Sequence, residues 1–262
     1  MKTSRRKTRT EKPCAKQSLR QFNVLVFRLA CVRGTIWNGV SLTNPAWMKS
    51  VTGRVELVSR TISVAEEWQD QLDRVFKYLF VEWDIRLTTG CSMHVHVSTG
   101  TTMDTRFTME QVRQILKGIA LYDDAITKIM PADRKNNEWA MSNFRSRQTP
   151  ARLKQLYAAV PTHTWAPLFG QFDKIKRKEM VYLELQGQNK LFCWNFNHLS
   201  LTCGTVEFRR SPGVRSAAEA KHWAGVALGF VSQAMVADYK PFMLSKQYPG
   251  VESLPEFLAE RG

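Results

Sequence analysis

The chain has 262 residues, 44% of them hydrophobic and 23% charged, which is ordinary globular usage and excludes a wholly disordered chain. No run of about 18 apolar residues is present, which excludes a membrane-spanning helix. The length suits one domain, with or without an arm. Lys+Arg number 38 against 23 Asp+Glu, a formal net charge of +15. Residues 1–20 hold eight basic side chains and one acidic, so a charge of +7 sits on a short arm without apolar period, and +8 remains for the rest. Such an arm reads as a nuclear address, a transit peptide, a nucleic-acid contact or a solvated tail. The body's excess fits a protein that handles anionic ligands.

The five cysteines lie far apart, with no C-x-x-C pair. With no N-x-Ser/Thr sequon and no apolar signal segment, they read as free thiols of an intracellular protein. The expected place is the cytoplasm, or the nucleus or mitochondrion if the arm is an address.

In chain order, Phe22 to Cys31 is an apolar run compatible with a strand, and Thr43-Asn44-Pro45 marks a turn. The folded body is placed from residue 46 to 262, with 1–45 as a basic arm and a poorly matching segment. Ser63-Val-Ala-Glu66, Thr108-Met-Glu-Gln111 and Ser216-Ala-Ala-Glu219 are capping boxes, each followed by apolar residues at helical spacing. Pro131 stops the second helix and Lys240-Pro241 the third. A shorter helix is expected after Thr149-Pro150. Six alternating segments read as strands: Arg54–Val58, Trp83–Thr88, Ser92–Ser98, Met180–Leu185, Leu191–Phe196 and Thr205–Arg210. Several follow one another without an intervening helix, which favours antiparallel pairing and an α+β class.

Three of these strands carry chemistry on one face. In Ser92–Ser98, alternation sends Met93, Val95 and Val97 one way and His94 and His96 the other. In Thr205–Arg210, Val206 and Phe208 face the core, while Thr205, Glu207 and Arg209 face away. In Arg54–Val58, Glu56 lies opposite Val55 and Leu57. A sheet that brings them together would offer two carboxylates and one or two imidazoles, with arginine nearby for phosphate. Such an oxygen-rich set suits Mg²⁺ or Mn²⁺ better than structural zinc. No P-loop, no G-x-G-x-x-G and no G-x-S-x-G elbow occurs.

These residues resemble the amidoligase family, a type common in fungi. The resemblance rests on Gly53-Arg-Val-Glu-Leu-Val-Ser59, Cys91-Ser-Met-His-Val-His-Val-Ser98, Ile129-Met-Pro-Ala-Asp-Arg134-Lys-Asn-Asn137 and Cys203-Gly-Thr-Val-Glu-Phe-Arg-Arg210, in that order and spacing. It runs from about Gly53 to Tyr239. It implies a glutamine synthetase-like fold, a curled antiparallel sheet flanked by helices. It also implies an ATP- and Mg²⁺- (or Mn²⁺-) dependent carboxylate–amine ligase. A carboxylate is phosphorylated to an acyl phosphate, and an amine then attacks to give an amide.

By this likeness Glu56, His94 and Glu207 hold metal, and Arg209, Arg210 and His96 serve the reaction. Arg134 and Asn137 contact a small-molecule or peptide carboxylate or amine. Members of the superfamily usually open with a strand bearing Glu-x-Glu, yet Phe22–Ala30 and the stretch on to Ser50 contain no acidic residue. The departure leaves two expectations, a truncated reading of an active enzyme or a degenerate ligase. The alternatives are a non-catalytic binding protein on the same fold, a basic nucleic-acid-binding protein for which no stacking motif or recognition helix speaks, and a metal-dependent hydrolase using His-x-His.

Overall fold

The computed structural model describes residues 24–30, 48–51, 54–82, 87–100, 102–201 and 203–259. The expected arm over 1–20 and most of the expected strand Trp83–Thr88 lie outside the described residues.

The described chain is an α+β protein with eight α-helices and a six-stranded antiparallel sheet. The strands are β1 (Val24–Ala30), β2 (Met48–Val51), β3 (Arg54–Val58), β4 (Ser92–Ser98), β5 (Trp194–Asn195) and β6 (Val206–Pro212). Their order is β2-β3-β1-β4-β6-β5, so the sheet is open, with β2 and β5 at its edges. β1 lies ahead of residue 46, where the sequence places the start of the body, and pairs with both β3 and β4.

The helices are α1 (Trp68–Glu82), α2 (Met109–Ile129), α3 (Ala132–Lys135), α4 (Ala151–Ala158), α5 (Ala166–Asp173), α6 (Lys178–Gln186), α7 (Ala217–Ala234) and α8 (Ser253–Ala259). Local chemistry sets where they start. At α2 the Thr108 hydroxyl accepts from Gln111 N at 3.2 Å, and Gln111 Oε1 accepts from Thr108 N at 2.8 Å, a complete capping box. At α7 the Ser216 hydroxyl accepts from Glu219 N, but Glu219 turns its carboxylate to Arg215 N at 2.7 Å, one residue earlier than the box expects. Near α1, Glu66 accepts from Ser63 N at 2.9 Å, and the helix proper begins two residues later at Trp68.

The core lies between the sheet and the helices. Met93, Val95, Val97, Val206 and Phe208 are fully buried, together with Val112, Ile115 and Ile119 of α2 and Ala227, Phe230 and Val231 of α7. Trp194 of β5 tilts against Phe208 at 4.7 Å and against Phe230 at 5.1 Å, which ties the sheet edge to α7. The outer edge of β5 is closed by side-chain amides. Asn143 exchanges two hydrogen bonds with Trp194, and Gln186 spans Trp194 O and Phe196 N.

One strand expectation is overturned. Met180–Leu185 lies inside helix α6. Val181 and Leu185, four apart, are buried, while Leu183 between them is exposed. Burial therefore follows the helical period and not alternation, and Gly187, in the left-handed conformation at φ +54°, stops the helix. Leu191–Phe196 contributes a two-residue strand, and Phe192 makes an isolated parallel bridge to Met141.

Candidate active site

Strands β4 and β6 are neighbours, and their register sets His96 directly opposite Glu207. A register shift between Met93 and Val95 places His94 near the next outward residue of β6, Arg209. β5 adds Asn195, which also faces Glu207.

The side chains converge on the Glu207 carboxylate, which is 1% exposed. Its Oε1 lies 3.1 Å from His94 Nδ1, 3.4 Å from His96 Nε2 and 2.7 Å from Arg209 Nη1. Its Oε2 accepts from Asn195 Nδ2 at 2.6 Å. Each imidazole carries a hydroxyl on its far nitrogen. Ser92 Oγ lies 2.9 Å from His94 Nε2, and Thr205 Oγ1 lies 3.1 Å from His96 Nδ1. The ring of His198 meets His96 edge-on, with centroids 5.3 Å apart.

Electrostatics fix the proton positions. Burial by itself raises the Glu207 pKa, but hydrogen bonds from His94 and His96 and the charge on Arg209 outweigh it. The carboxyl is held well below the usual carboxylate range. Burial pushes His94 the other way, down to about 4, with the Glu207 hydrogen bond opposing it. At neutral pH His94 is therefore an uncharged imidazole. An ionised Glu207 only accepts, so His94 carries its proton on Nδ1 and leaves Nε2 as an acceptor for the Ser92 hydroxyl. The Arg209 Nη1 at 3.4 Å then faces an N–H rather than a lone pair. Arg209 Nε is buried and has no hydrogen-bond partner among the described residues.

The other residues singled out in the sequence sit elsewhere. Arg210 points to the helix side of β6, where it donates to Thr127 Oγ1 at 2.7 Å and to Lys135 O at 3.1 Å. Arg134, also buried, donates to Arg210 O and Arg209 O at 3.1 and 2.9 Å and so clasps the back of the strand. Asn137 closes its own loop, with Asp133 O as acceptor and Trp139 N as donor. None of the three is brought to the Glu207 cluster. Glu56 pairs with Ala30 of β1, which pairs in turn with Ser92 of β4, so it stands two strands over from Ser92 by backbone register.

Sequence reasoning missed Asn195, Ser92 and the orienting role of Thr205. Alternation in the segment around Trp194 carried the first signal, since Trp194 and Phe196 inward leave Asn195 outward. Ser92 carried the second, being two residues from His94 on one strand.

A divalent cation can be tested against this donor set. Among the described residues no group of three His, Cys, Asp or Glu side chains has the arrangement to hold a metal ion. Both Glu207 oxygens are already taken by N–H donors, and one donor is a guanidinium. The β1 positions paired with His96 and His94 are Val26 and Arg28, neither an oxygen ligand. Mg²⁺ demands near-octahedral oxygen ligation, and the described cluster does not fit it.

The fold and the cluster define a helix-backed antiparallel sheet with an ionised carboxylate, two imidazoles and an arginine on its polar face. The chain belongs to the family described as "putative amidoligase enzyme", which it matches over residues 2–231. Comparison with curated proteins and with solved structures returned no match. No helix among the described residues is long and apolar enough to cross a membrane.

Proposed function

We propose that the protein is a carboxylate–amine ligase that forms an amide through an acyl phosphate, on a glutamine synthetase-like fold. Membership of the amidoligase family supports the reaction class. The observation that carries the reading to particular residues is Arg209. Glu207 holds one edge of its guanidinium at 2.7 Å, while its buried Nε has no partner among the described residues. A planar fork held in this way is preorganised to grip the oxygens of a transferring phosphoryl group or an acyl phosphate. ATP as phosphoryl donor, with Mg²⁺ or Mn²⁺ as its counter-ion, belongs to the same proposal. The substrates are a small-molecule or peptide carboxylate and an amine, with neither a membrane nor a nucleic acid as partner. The cytoplasm is the proposed place of action.

Hydroxylamine trapping tests the reading. Purified chain, ATP, Mg²⁺ and a panel of amino-acid and peptide carboxylates should yield hydroxamate only when ATP is present. Arg209→Lys should keep nucleotide affinity within a few-fold and lose at least tenfold in rate, since lysine keeps the charge but not the fork. The saturated Glu207 carboxylate and the absence of acidic residues from β1 favour a second reading, a non-catalytic binding protein on the same fold. If calorimetry with millimolar ATP and Mg²⁺ shows no binding to the wild type, that second reading replaces the first.

A further inference from the structure

A cavity of about 210 Å³ lies where α2, α4 and the chain before α8 meet, and none of its lining residues belongs to the Glu207 cluster. Its inner walls are aromatic. Phe144 and Tyr157 are buried and stacked, with centroids 5.1 Å apart, and Tyr248 tilts against Tyr157 at 5.0 Å. Tyr248 Oη also donates to Tyr157 O, which fixes that wall. One polar atom of the wall is unanswered: Tyr157 Oη is buried and has no hydrogen-bond partner among the described residues. Burial, and next the charge of Asp123, raise its pKa, so at neutral pH the hydroxyl keeps its proton and can donate it. A buried donor of this kind calls for an acceptor. The charges at the rim select which. Arg145 donates to Asp123 Oδ2 at 3.1 Å and to Asp124 Oδ1 at 2.6 Å, and Lys128 Nζ lies 2.8 Å from Asp124 Oδ2. Both carboxylates are thus matched by cations. Lys154 lines the same cavity, is exposed, and has no carboxylate partner among the described residues. It stands three residues from Tyr157 on α4, so ammonium and hydroxyl sit on adjoining parts of one helix face.

We propose that this cavity is a binding site for a small aromatic carboxylate, a single ring bearing its acid directly or through a short spacer. The ring lies against Phe144, Tyr157 and Tyr248, where edge and face contacts between aromatic groups add to the burial of apolar surface. The carboxylate accepts from the Tyr157 hydroxyl and the Lys154 ammonium, which gives the buried donor its acceptor and the unpaired cation its anion. A cavity of about 150 Å³ with apolar walls holds one benzene, so this one has room for a ring and its carboxyl group. An aromatic amine fits less well, because Asp123 and Asp124 already have their cations and Lys154 would repel it. Ala158, one turn beyond Lys154, is exposed at the rim, and its single methyl leaves the mouth clear. Binding here needs neither nucleotide nor metal and is independent of the ligase reading.

Ligand-observed NMR titration of the full chain, without ATP or Mg²⁺, tests the site. The probes are benzoate, phenylacetate and 3-phenylpropanoate, with benzyl alcohol and benzylamine as uncharged and cationic counterparts and acetate as the acid without a ring. At least one aromatic acid should bind the folded wild type at millimolar concentration, at least tenfold more tightly than the alcohol, the amine or acetate. Ala158→Trp, which fills the mouth from an exposed position, should abolish binding. Lys154→Met and Tyr157→Phe should each weaken it at least fivefold. Tyr157→Phe removes only the unanswered oxygen and should not lower the thermal midpoint of the ligand-free protein. Circular dichroism follows the folding of each variant. The proposal is overturned if no aromatic acid binds the folded wild type, or if the amine, the alcohol or acetate binds as tightly as the best acid. It is equally overturned if folded Ala158→Trp, Lys154→Met or Tyr157→Phe binds that acid as the wild type does.

Discussion

Asn195 faces Glu207 directly across the β5–β6 pair, and its amide nitrogen lies 2.6 Å from Glu207 Oε2. The amide occupies the side of the carboxylate that the histidines and Arg209 leave open. Four nitrogen donors therefore surround this buried anion. Asn195→Ala leaves a buried carboxylate oxygen without its donor, at a cost of about 1–3 kcal/mol. Asn195→Asp places a second carboxylate at the same point and should cost more. Urea unfolding at pH 7 ranks the two, and the alanine variant is expected to be the more stable.

Acid should weaken the fold in a defined window. The His94 pKa is about 4 in the folded protein against an ordinary 6.5. Between those values the unfolded chain binds a proton that the folded chain refuses, so stability is full above pH 6.5 and declines as pH falls towards 4. Glu207, held below its ordinary 4.5, acts in the same direction, with stability present above that value and lost below it. At about 1.4 kcal/mol per pKa unit, the His94 part is on the order of 3 kcal/mol. His94→Gln should flatten the slope of urea midpoint against pH between 6.5 and 4. An unchanged slope would show that His94 is not the group refusing the proton.

Arg134 should matter for stability rather than for ligand contact. It is 1% exposed and joins α3 to β6 through two backbone carbonyls. Hydrogen bonds from a charged donor contribute about 1.5–3 kcal/mol each, so Arg134→Ala should lose on the order of 3 kcal/mol by urea unfolding. A loss below about 0.5 kcal/mol would mean that the carbonyls find other donors.

Helices α2 and α7 approach closely at Gly118. A Cβ there would lie 2.6 Å from Tyr239 Oη and 2.9 Å from Ala234 Cβ. Gly118→Ala should cost about 1–3 kcal/mol through overpacking. Tyr239→Phe removes the nearer obstacle, although it also removes a hydrogen bond to Ala234 O. The double variant should therefore be less destabilised than the sum of the two singles. Thermal unfolding of all four proteins gives the coupling.

The sequence was most legible where side-chain pattern and local chemistry agree. The cap residues Thr108 and Ser216 announce α2 and α7, and strict alternation announces β3, β4 and β6. The meeting of His94, His96, Glu207 and Arg209 follows from putting outward residues of neighbouring strands side by side. The partners of that cluster were harder to see. Asn195 belongs to a two-residue strand whose outer edge is held by Gln186, eight residues from Trp194, and by Asn143, 51 residues from it. Arg210 and Arg134 lie within the motifs that carry the resemblance. Arg210 points inward by the same alternation that points Arg209 outward, and Arg134 follows it to the helix side of the strand. The segment 180–185 misled because its apolar residues satisfy both periods, and only its burial distinguishes them.

Glu207 and the histidines it holds come from strands more than a hundred residues apart, as the 109- and 115-residue separations of Thr205 from His96 and Arg209 from His94 record. Contacts of such sequence separation close late, since the entropy of a long loop must be lost before they form. On a chain emerging from the ribosome, β4 is complete while β6 has yet to be synthesised. Through that interval its outward imidazoles have no carboxylate to face, and its valines have no α7 to cover them. The intervening helices α2 to α6 can form from local contacts in the meantime, and β6 then enters beside β4 as the closing piece. Folding of this protein should accordingly be slow for its size, and the polar cluster should appear together with the last strand rather than before it.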